Sequence, residues 1–273
     1  MASARRELAA HGLAPSKTRG QNFLRRAEIA TRIVERLALR GSDAVLEIGP
    51  GLGQLTRALA VVARRTLALE VDRGLVGLLA AQGDLPASVE VRLADALEAD
   101  FPALVRELRP PVVLVGNLPY SIAGRLLGKL LVPDSPFRRI GCMLQRELAD
   151  RVLAAPGSKD YGTLSVYAGL WFTGERLLDL SRQEFSPRPK VRSTFLALAP
   201  RPAPPEVGDV ALLRRLVRAA FGQRRKQLRG ALEREFPHAG EVLAGLRIDA
   251  RRRGETLDPA EFAALANALA AAG

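Results

Sequence analysis

Five short apolar runs recur along the first half of the chain, separated by stretches of helical periodicity. This alternation constrains the fold more than any other feature of the sequence. The runs are AVLEIG (44–49), TLALEV (66–71), VEVRLA (89–94), VVLVGN (112–117) and IGCMLQ (140–145). Strands that alternate with helical stretches at this spacing predict βαβ units, and therefore a parallel sheet covered by helices on both faces. AEIATRIVERLAL, just before the first run, predicts a helix. ERLLDL and STFLALAP are expected as antiparallel additions at an edge, while LSVYAGLWF reads equally as helix or strand. The proline-rich PRPAPPEVGD (200–209) has the composition of a linker. Beyond it the pattern is helical, and LDPAEFAALANALA carries its own start signal: Asp258 as N-cap, Pro259 at the first helical position and Glu261 at the third. Three segments are expected: a basic leader and helix over 1–40 that packs on the catalytic domain, an α/β domain over 41–199, and a basic helical domain over 200–273.

Charge narrows the partners. The 273 residues carry a formal net charge of +12, which makes a polyanion the expected partner. Only five of the 41 basic residues are lysine, a bias that a GC-rich genome or a hot habitat also produces. One cysteine excludes an internal disulfide, and two histidines cannot build a usual zinc site, so no metal is expected. No apolar run approaches the roughly 18 residues needed to span a bilayer. MASARRELAA has charges where a secretory signal needs an apolar core, so the expected location is cytoplasmic.

The first strand–helix junction reads LEIGPGLGQLT, with Gly49, Gly51 and Gly53 opening a helix. Such a turn lets a ligand approach the backbone at a helix N-terminus. Glu47, two residues before the first glycine, sharpens this. A carboxylate would repel a pyrophosphate but suits a ligand with a cationic amino-acid end, the pattern of S-adenosylmethionine enzymes. Glu70 ends the second run and can accept both ribose hydroxyls; Asp95 follows the third and can accept from an adenine amine. An NAD-dependent oxidoreductase leaves Glu47 unexplained, and cytosine-C5 methylation needs a thiolate, whereas Cys142 lies inside an apolar run.

The fourth run ends in GNLPY (116–120). Pro119 holds Leu118 extended and removes a donor. Asn117 and the Leu118 carbonyl are acceptors, and Tyr120 supplies a flat face. Acceptors beside a ring describe a pocket for a planar base with an exocyclic amine. Bonds from that amine to both oxygens would favour a pyramidal nitrogen and free its lone pair. Further on, FSPRPKVRS (185–193) makes a stiff loop that presents Phe185, with Arg188, Lys190 and Arg192 alternating along it. Between Arg214 and Arg229, seven basic residues occur with no acid, which leaves phosphate or water to neutralise them.

With GQNFL (20–24), EIGPGLGQLT, GNLPY, FSPRPKVRS and FGQRRKQLR (221–229), nearly the whole chain resembles the ribosomal RNA adenine N6,N6-dimethyltransferases, and within them the bacterial small-subunit branch. The resemblance implies a Rossmann-like S-adenosylmethionine-dependent methyltransferase fold, an α/β architecture with a mostly parallel seven-stranded sheet, and a small all-α C-terminal domain. It implies that Asn22, Leu24, Gly49, Gly51, Glu70, Asp95 and Asn117 hold S-adenosylmethionine. Asn117, Leu118, Pro119 and Tyr120 would hold the target adenine, and Phe185 would close on its other face. Arg188, Lys190, Arg192, Arg224, Arg225, Lys226 and Arg229 would meet RNA. The implied substrate is a pair of adjacent adenosines in the 3′-terminal hairpin loop of 16S rRNA, on the 30S subunit or its precursor. S-adenosylhomocysteine would be released, and the enzyme is expected to be a monomer. The family often continues N-L-P-Y-N-I-S/T, where this chain has Ser121 and Ala123. Two alternatives stand beside this reading: a 23S rRNA dimethyltransferase of the macrolide-resistance type, and an RNA-binding assembly factor whose methyltransferase activity is secondary.

Overall fold

The computed structural model describes residues 4–16, 19–223 and 226–272. Nine strands occur among them: β1 (Phe23–Leu24), β2 (Ala44–Ile48), β3 (Arg65–Glu70), β4 (Val89–Leu93), β5 (Val112–Asn117), β6 (Arg139–Gln145), β7 (Phe172–Leu180), β8 (Phe185–Ser186) and β9 (Ser193–Pro200). Seven form one sheet in the order β4-β3-β2-β5-β6-β9-β7, and β1 pairs with β8 separately. The five strands from β4 to β6 run parallel, and β9 is antiparallel to β6. The expected mostly parallel seven-stranded sheet is therefore the observed one.

The central strands are buried along nearly their whole length, and apart from Glu47 in β2 the residues buried in β2 and β5 carry no polar side chain. All five residues of β2 are buried, as are the first five of β5. Val45, Val113, Val115, Met143, Phe195 and Ala197 share one core cluster with Ile29, Ile33 and Leu37 of helix Ala27–Leu37 and with Leu55 and Leu59 of helix Gln54–Val62. Their alternation along the strands follows from the period-2 pleat. At the amino edge of the sheet, Asp43 is 0% exposed and takes two bonds from the Arg138 guanidinium, at 2.9 and 2.5 Å. The Arg40 N–H donates a third.

The chain separates into two compact units. The first comprises Met1–Leu130, Asp134–Ala149 and Gly174–Pro200; the second comprises Leu131–Pro133, Asp150–Thr173 and Arg201–Gly273. A single cut near 200 therefore differs from the structure, which groups 150–173 with the C-terminal helices. LSVYAGLWF lies in this stretch and is helical, as Thr163–Trp171, before Phe172 begins β7. Tertiary packing decides the choice that local pattern left open: Gly169 has no side chain because one would lie 2.7 Å from Pro259 Cγ.

The second unit is held by helices Val210–Gly222, Leu228–Leu232, Ala239–Gly245 and Pro259–Ala272. Phe221 and Phe262 stack with centroids 6.0 Å apart. The last helix starts with the expected reciprocal cap: Asp258 accepts from the Glu261 N–H at 2.8 Å, and Glu261 accepts from the Asp258 N–H at 2.8 Å. The linker is pinned by Asn267, which donates to the Glu206 carbonyl and accepts from the Gly208 N–H.

Candidate active site

Because β2, β3, β4 and β5 are parallel, their carboxyl ends lie on one rim. Ile48 is opposite both Leu69 and Gly116, and Glu70 is opposite Leu93. The loops leaving these ends meet in a cavity of about 270 Å³, whose lining includes Asn22, Leu24, Gly49, Gly51, Glu70, Asp95 and Asn117. Leu118, Pro119 and Tyr120 line it as well. Residues spread over nearly 100 positions of sequence thus converge at the place where open α/β sheets bind ligands.

Two glycines are sterically required here. Gly51 has φ +59°, and a Cβ on it would fall 2.8 Å from the Phe23 ring. Gly116 lets β5 close on its neighbour, since a Cβ there would meet the Ile48 carbonyl at 2.8 Å. Glu70 is only 5% exposed and accepts from the N–H groups of Gly51 (3.2 Å) and Asp72 (3.0 Å). Burial pushes its carboxyl above the ordinary value, while those backbone donors pull it back. Asp95 is exposed and accepts from the Leu97 N–H at 2.8 Å. Its loop is anchored from behind by Lys129, whose ammonium donates to the Leu97 and Ala99 carbonyls at 2.7 Å each and lies over the Phe101 ring. The Asn117 amide donates to the Asn22 carbonyl at 2.7 Å. The Tyr120 hydroxyl lies 2.7 Å from Ser193 Oγ, which ties the ring to β9; burial raises its pKa and the serine offsets part of the rise.

Three sequence-based expectations are corrected. Phe185 does not line the cavity: it is 1% exposed and packs in the core with Leu24 and Ile29. The cause is the β1–β8 pairing, which sets Phe185 opposite Leu24 and turns both onto the same core. Glu47 does not face the ligand space either. It is 1% exposed within β2, and burial pushes its carboxyl up to about 8, partly offset by the Thr56 hydroxyl and raised further by nearby Glu70. Among the described residues, neither Glu47 Oε2 nor the Thr56 hydroxyl has a hydrogen bond of good geometry. Nor are phosphate and water the sole partners of the basic 214–229 segment, whose first helix ends at Gly222. Some of its charges find acids just beyond the segment: Arg215 pairs with Glu235 at 2.9 Å, and Arg229 with Glu233. Arg188, Lys190, Arg192, Lys226 and Arg229 are exposed; Arg224 and Arg225 lie outside the described residues. Cys142 is buried and its thiol is pushed up to about 12, which makes it a poor nucleophile.

The buried Glu47 carboxyl carries a stability prediction. The native state keeps its proton up to about pH 8, whereas the unfolded chain releases it near 4.5. Between these values the native state binds more protons, so the carboxyl's contribution is complete below the unfolded pKa and is lost as pH rises toward the folded one. Relative to Glu47→Gln, the wild type is expected to lose a few kcal/mol of unfolding free energy across this window, at most about 1.4 per pH unit. Parallel urea-unfolding curves for the two proteins at pH 5 and pH 8 would show that the carboxyl is not proton-linked.

The sequence matches the description "Ribosomal RNA adenine dimethylase" over residues 15–271. The chain belongs to that family. It is by membership an S-adenosylmethionine-dependent methyltransferase. A protein named ribosomal RNA small subunit methyltransferase A from Dinoroseobacter shibae is 44% identical, with 98% of this chain and 96% of that one covered. Another of the same name from Geobacillus thermodenitrificans is 39% identical, over 96% and 93% of the two chains. Among solved structures, a dimethyladenosine transferase from Plasmodium falciparum superposes with a TM-score of 0.76 at 25% identity, covering 89% of this chain and 95% of that one. The 23S rRNA methyltransferase ErmE gives 0.65 at 28% identity, covering 91% and 100%.

The rim suits the donor used by this family. Glu70, Asp95 and Asn117 all bring oxygen acceptors to the cavity, and Arg19, the only cation among its described lining residues, is paired with Asp72 at 2.5 Å. Acceptors of this kind match ribose hydroxyls, an adenine amine and a cationic ligand better than a polyphosphate.

Proposed function

We propose that this protein transfers methyl groups from S-adenosylmethionine to N6 of two adjacent adenosines in the 3′-terminal hairpin loop of 16S rRNA. The product is a pair of N6,N6-dimethyladenosines. It acts as a monomer in the cytoplasm, on the 30S subunit or a precursor whose maturation it accompanies. The reading is carried by one observation: Asn117, Leu118, Pro119 and Tyr120 share a cavity with the glycine turn, Glu70 and Asp95. The names of relatives up to 44% identical favour the small subunit over 23S rRNA.

In this reading Gly49 and Gly51 bring the backbone close to the donor, Glu70 accepts from its ribose, Asp95 from its adenine, and Asn22 and Leu24 cover it. The bound donor supplies a methyl group on a positively charged sulfur. The target adenosine leaves its loop at a cost of a few kcal/mol and stacks on Tyr120. Asn117 Oδ1 and the Leu118 carbonyl accept the two N6 protons, which turns the nitrogen's lone pair toward the methyl group. The surplus proton then passes to solvent, and no general base is needed. Arg188, Lys190, Arg192, Arg224, Arg225, Lys226 and Arg229 meet phosphates, so affinity should fall with added salt.

The test is methyl transfer to 30S particles that lack these modifications, followed by mass spectrometry of the 16S 3′ hairpin. Two dimethyladenosines are expected. Label in 23S rRNA would support the macrolide-resistance reading instead, and absence of label would defeat both.

A further inference from the structure

A main-chain carbonyl decides which end of the Asn117 amide faces the cavity. Asn117 Nδ2 donates to the Asn22 carbonyl at 2.7 Å. Side-chain amides are commonly ambiguous between oxygen and nitrogen, but a main-chain carbonyl carries no hydrogen, so only the N–H end can lie against it. A flipped amide would press two oxygens together at that distance. Because Asn117 lines the cavity, its Oδ1 is the end left to receive a proton from the substrate amine.

The segment that carries the Asn22 carbonyl is held at several points. The Asn22 side chain donates to the Gly20 carbonyl at 2.8 Å, closing a turn in which Gly20 has φ +62°. Gln21 donates to Asp72 Oδ2 at 3.2 Å, and Arg19 reaches the same oxygen at 2.5 Å. The next residue, Phe23, is buried with Leu52, Leu75 and Leu78. Asp72 is the junction. Its Oδ1 accepts from the Gly74 N–H and caps helix Arg73–Gln82, and its backbone N–H donates to Glu70 Oε1.

We propose that the Arg19–Phe23 segment is a positioning element for methyl transfer, in which the Asn22 carbonyl sets the acceptor polarity of Asn117 and Asp72 is the positioning residue that seats the segment. The inference rests on the reading of the cavity as an adenosine N6-methylation site. It adds that one residue, Asp72, links the carboxylate of Glu70 to the orientation of the amide at the acceptor side.

Two variants test it, with methyl transfer to unmodified 30S particles as the assay. Asp72→Asn keeps the side-chain oxygen for the Gly74 N–H and the backbone N–H for Glu70, but loses the ion pair with Arg19 and the acceptor for the Gln21 amide. Its kcat at saturating donor and RNA is expected to fall roughly tenfold, with donor affinity by calorimetry and RNA KM changed less than about threefold. Amide hydrogen exchange in residues 19–24 should quicken. Asn117→Asp gives a pH signature. A carboxylate has no hydrogen for the Asn22 carbonyl, whereas the protonated acid donates to it and turns its other oxygen to the cavity. The ratio of its kcat to that of wild type should therefore rise as pH is lowered from 8.5 to 5.5. Glu70, Asp95, Arg19 and the Tyr120 hydroxyl also face or border the cavity, and Glu47 lies near Glu70. All are common to both proteins, so the ratio removes their titration. Wild-type kcat in Asp72→Asn overturns the inference, as does an Asn117→Asp ratio that is flat with pH, uniform silence included. If the wild-type protein itself fails to methylate the particles, the functional reading fails instead.

Discussion

Asn117→Ala is expected to lower kcat by about 10²–10³-fold, the range seen when one preorganised partner of a developing charge is removed. Alanine deletes Oδ1 and leaves the Asn22 carbonyl without the amide that lies 2.7 Å from it. On the proposed mechanism, the N6 nitrogen then keeps its lone pair delocalised into the ring, because the Leu118 carbonyl alone remains to draw out a proton. RNA affinity is expected to change little, since on the proposed reading phosphate contacts by exposed cations supply most of it. Leu118 is 1% exposed and keeps the backbone beside it in place, so the cavity should survive the truncation. Single-turnover methyl transfer and filter binding on the same particles separate the two effects. Equal losses in binding and turnover would mean that Asn117 supports the fold of the RNA site and not the transfer step.

How much of this was legible in the sequence depends on how far apart the interacting residues lie. The parallel strands were readable because a sheet buried on both faces requires largely apolar runs, and β5 begins with one while β2 is one apart from Glu47. The rim residues were readable because strand ends in a parallel sheet share an edge, so an acid or amide closing a run must lie near the others. Asp72, Ser193 and Lys129 were not. Each acts on a partner 32 to 73 positions away, and no local pattern marks a side chain that holds such a partner. Phe185 misled because a proline-rich loop suggests a presented ring. Its burial comes from β1, two residues long and about 160 positions earlier. Glu47 misled in the opposite way: an acid before a glycine turn suggests a ligand contact, but its place inside β2 buries it. The acid-free stretch 214–229 concealed two acids just beyond it: Glu233 lies one helical turn past Arg229, and Glu235 returns to Arg215 once the chain breaks after Gly222.

The largest stability effect is expected far from the rim, at the Asp43–Arg138 pair. Asp43 precedes β2 and Arg138 precedes β6, and β5 lies between those strands, so the pair bridges the amino edge of the sheet across one strand. The two partners are unequally buried: the Asp43 side chain is 0% exposed and the Arg138 side chain 25%. Removing the arginine therefore strands a carboxylate in the interior, with the Arg40 N–H as its one remaining donor among the described residues. Arg138→Ala should cost about 3–5 kcal/mol, the usual penalty for breaking a buried pair. Asp43→Asn should cost less, about 1–3 kcal/mol, because the amide keeps an acceptor and Arg138 can still reach water. Combining Arg138→Ala with Asp43→Asn should recover part of the larger loss, a coupling visible in a double-mutant cycle from urea midpoints. The pair lies at the opposite end of the strands from the cavity. At a temperature where all three variants are folded, kcat should stay within about twofold of wild type. Additive losses in the cycle would mean that the two side chains stabilise the sheet independently, and the bridge would then be only a feature of the geometry.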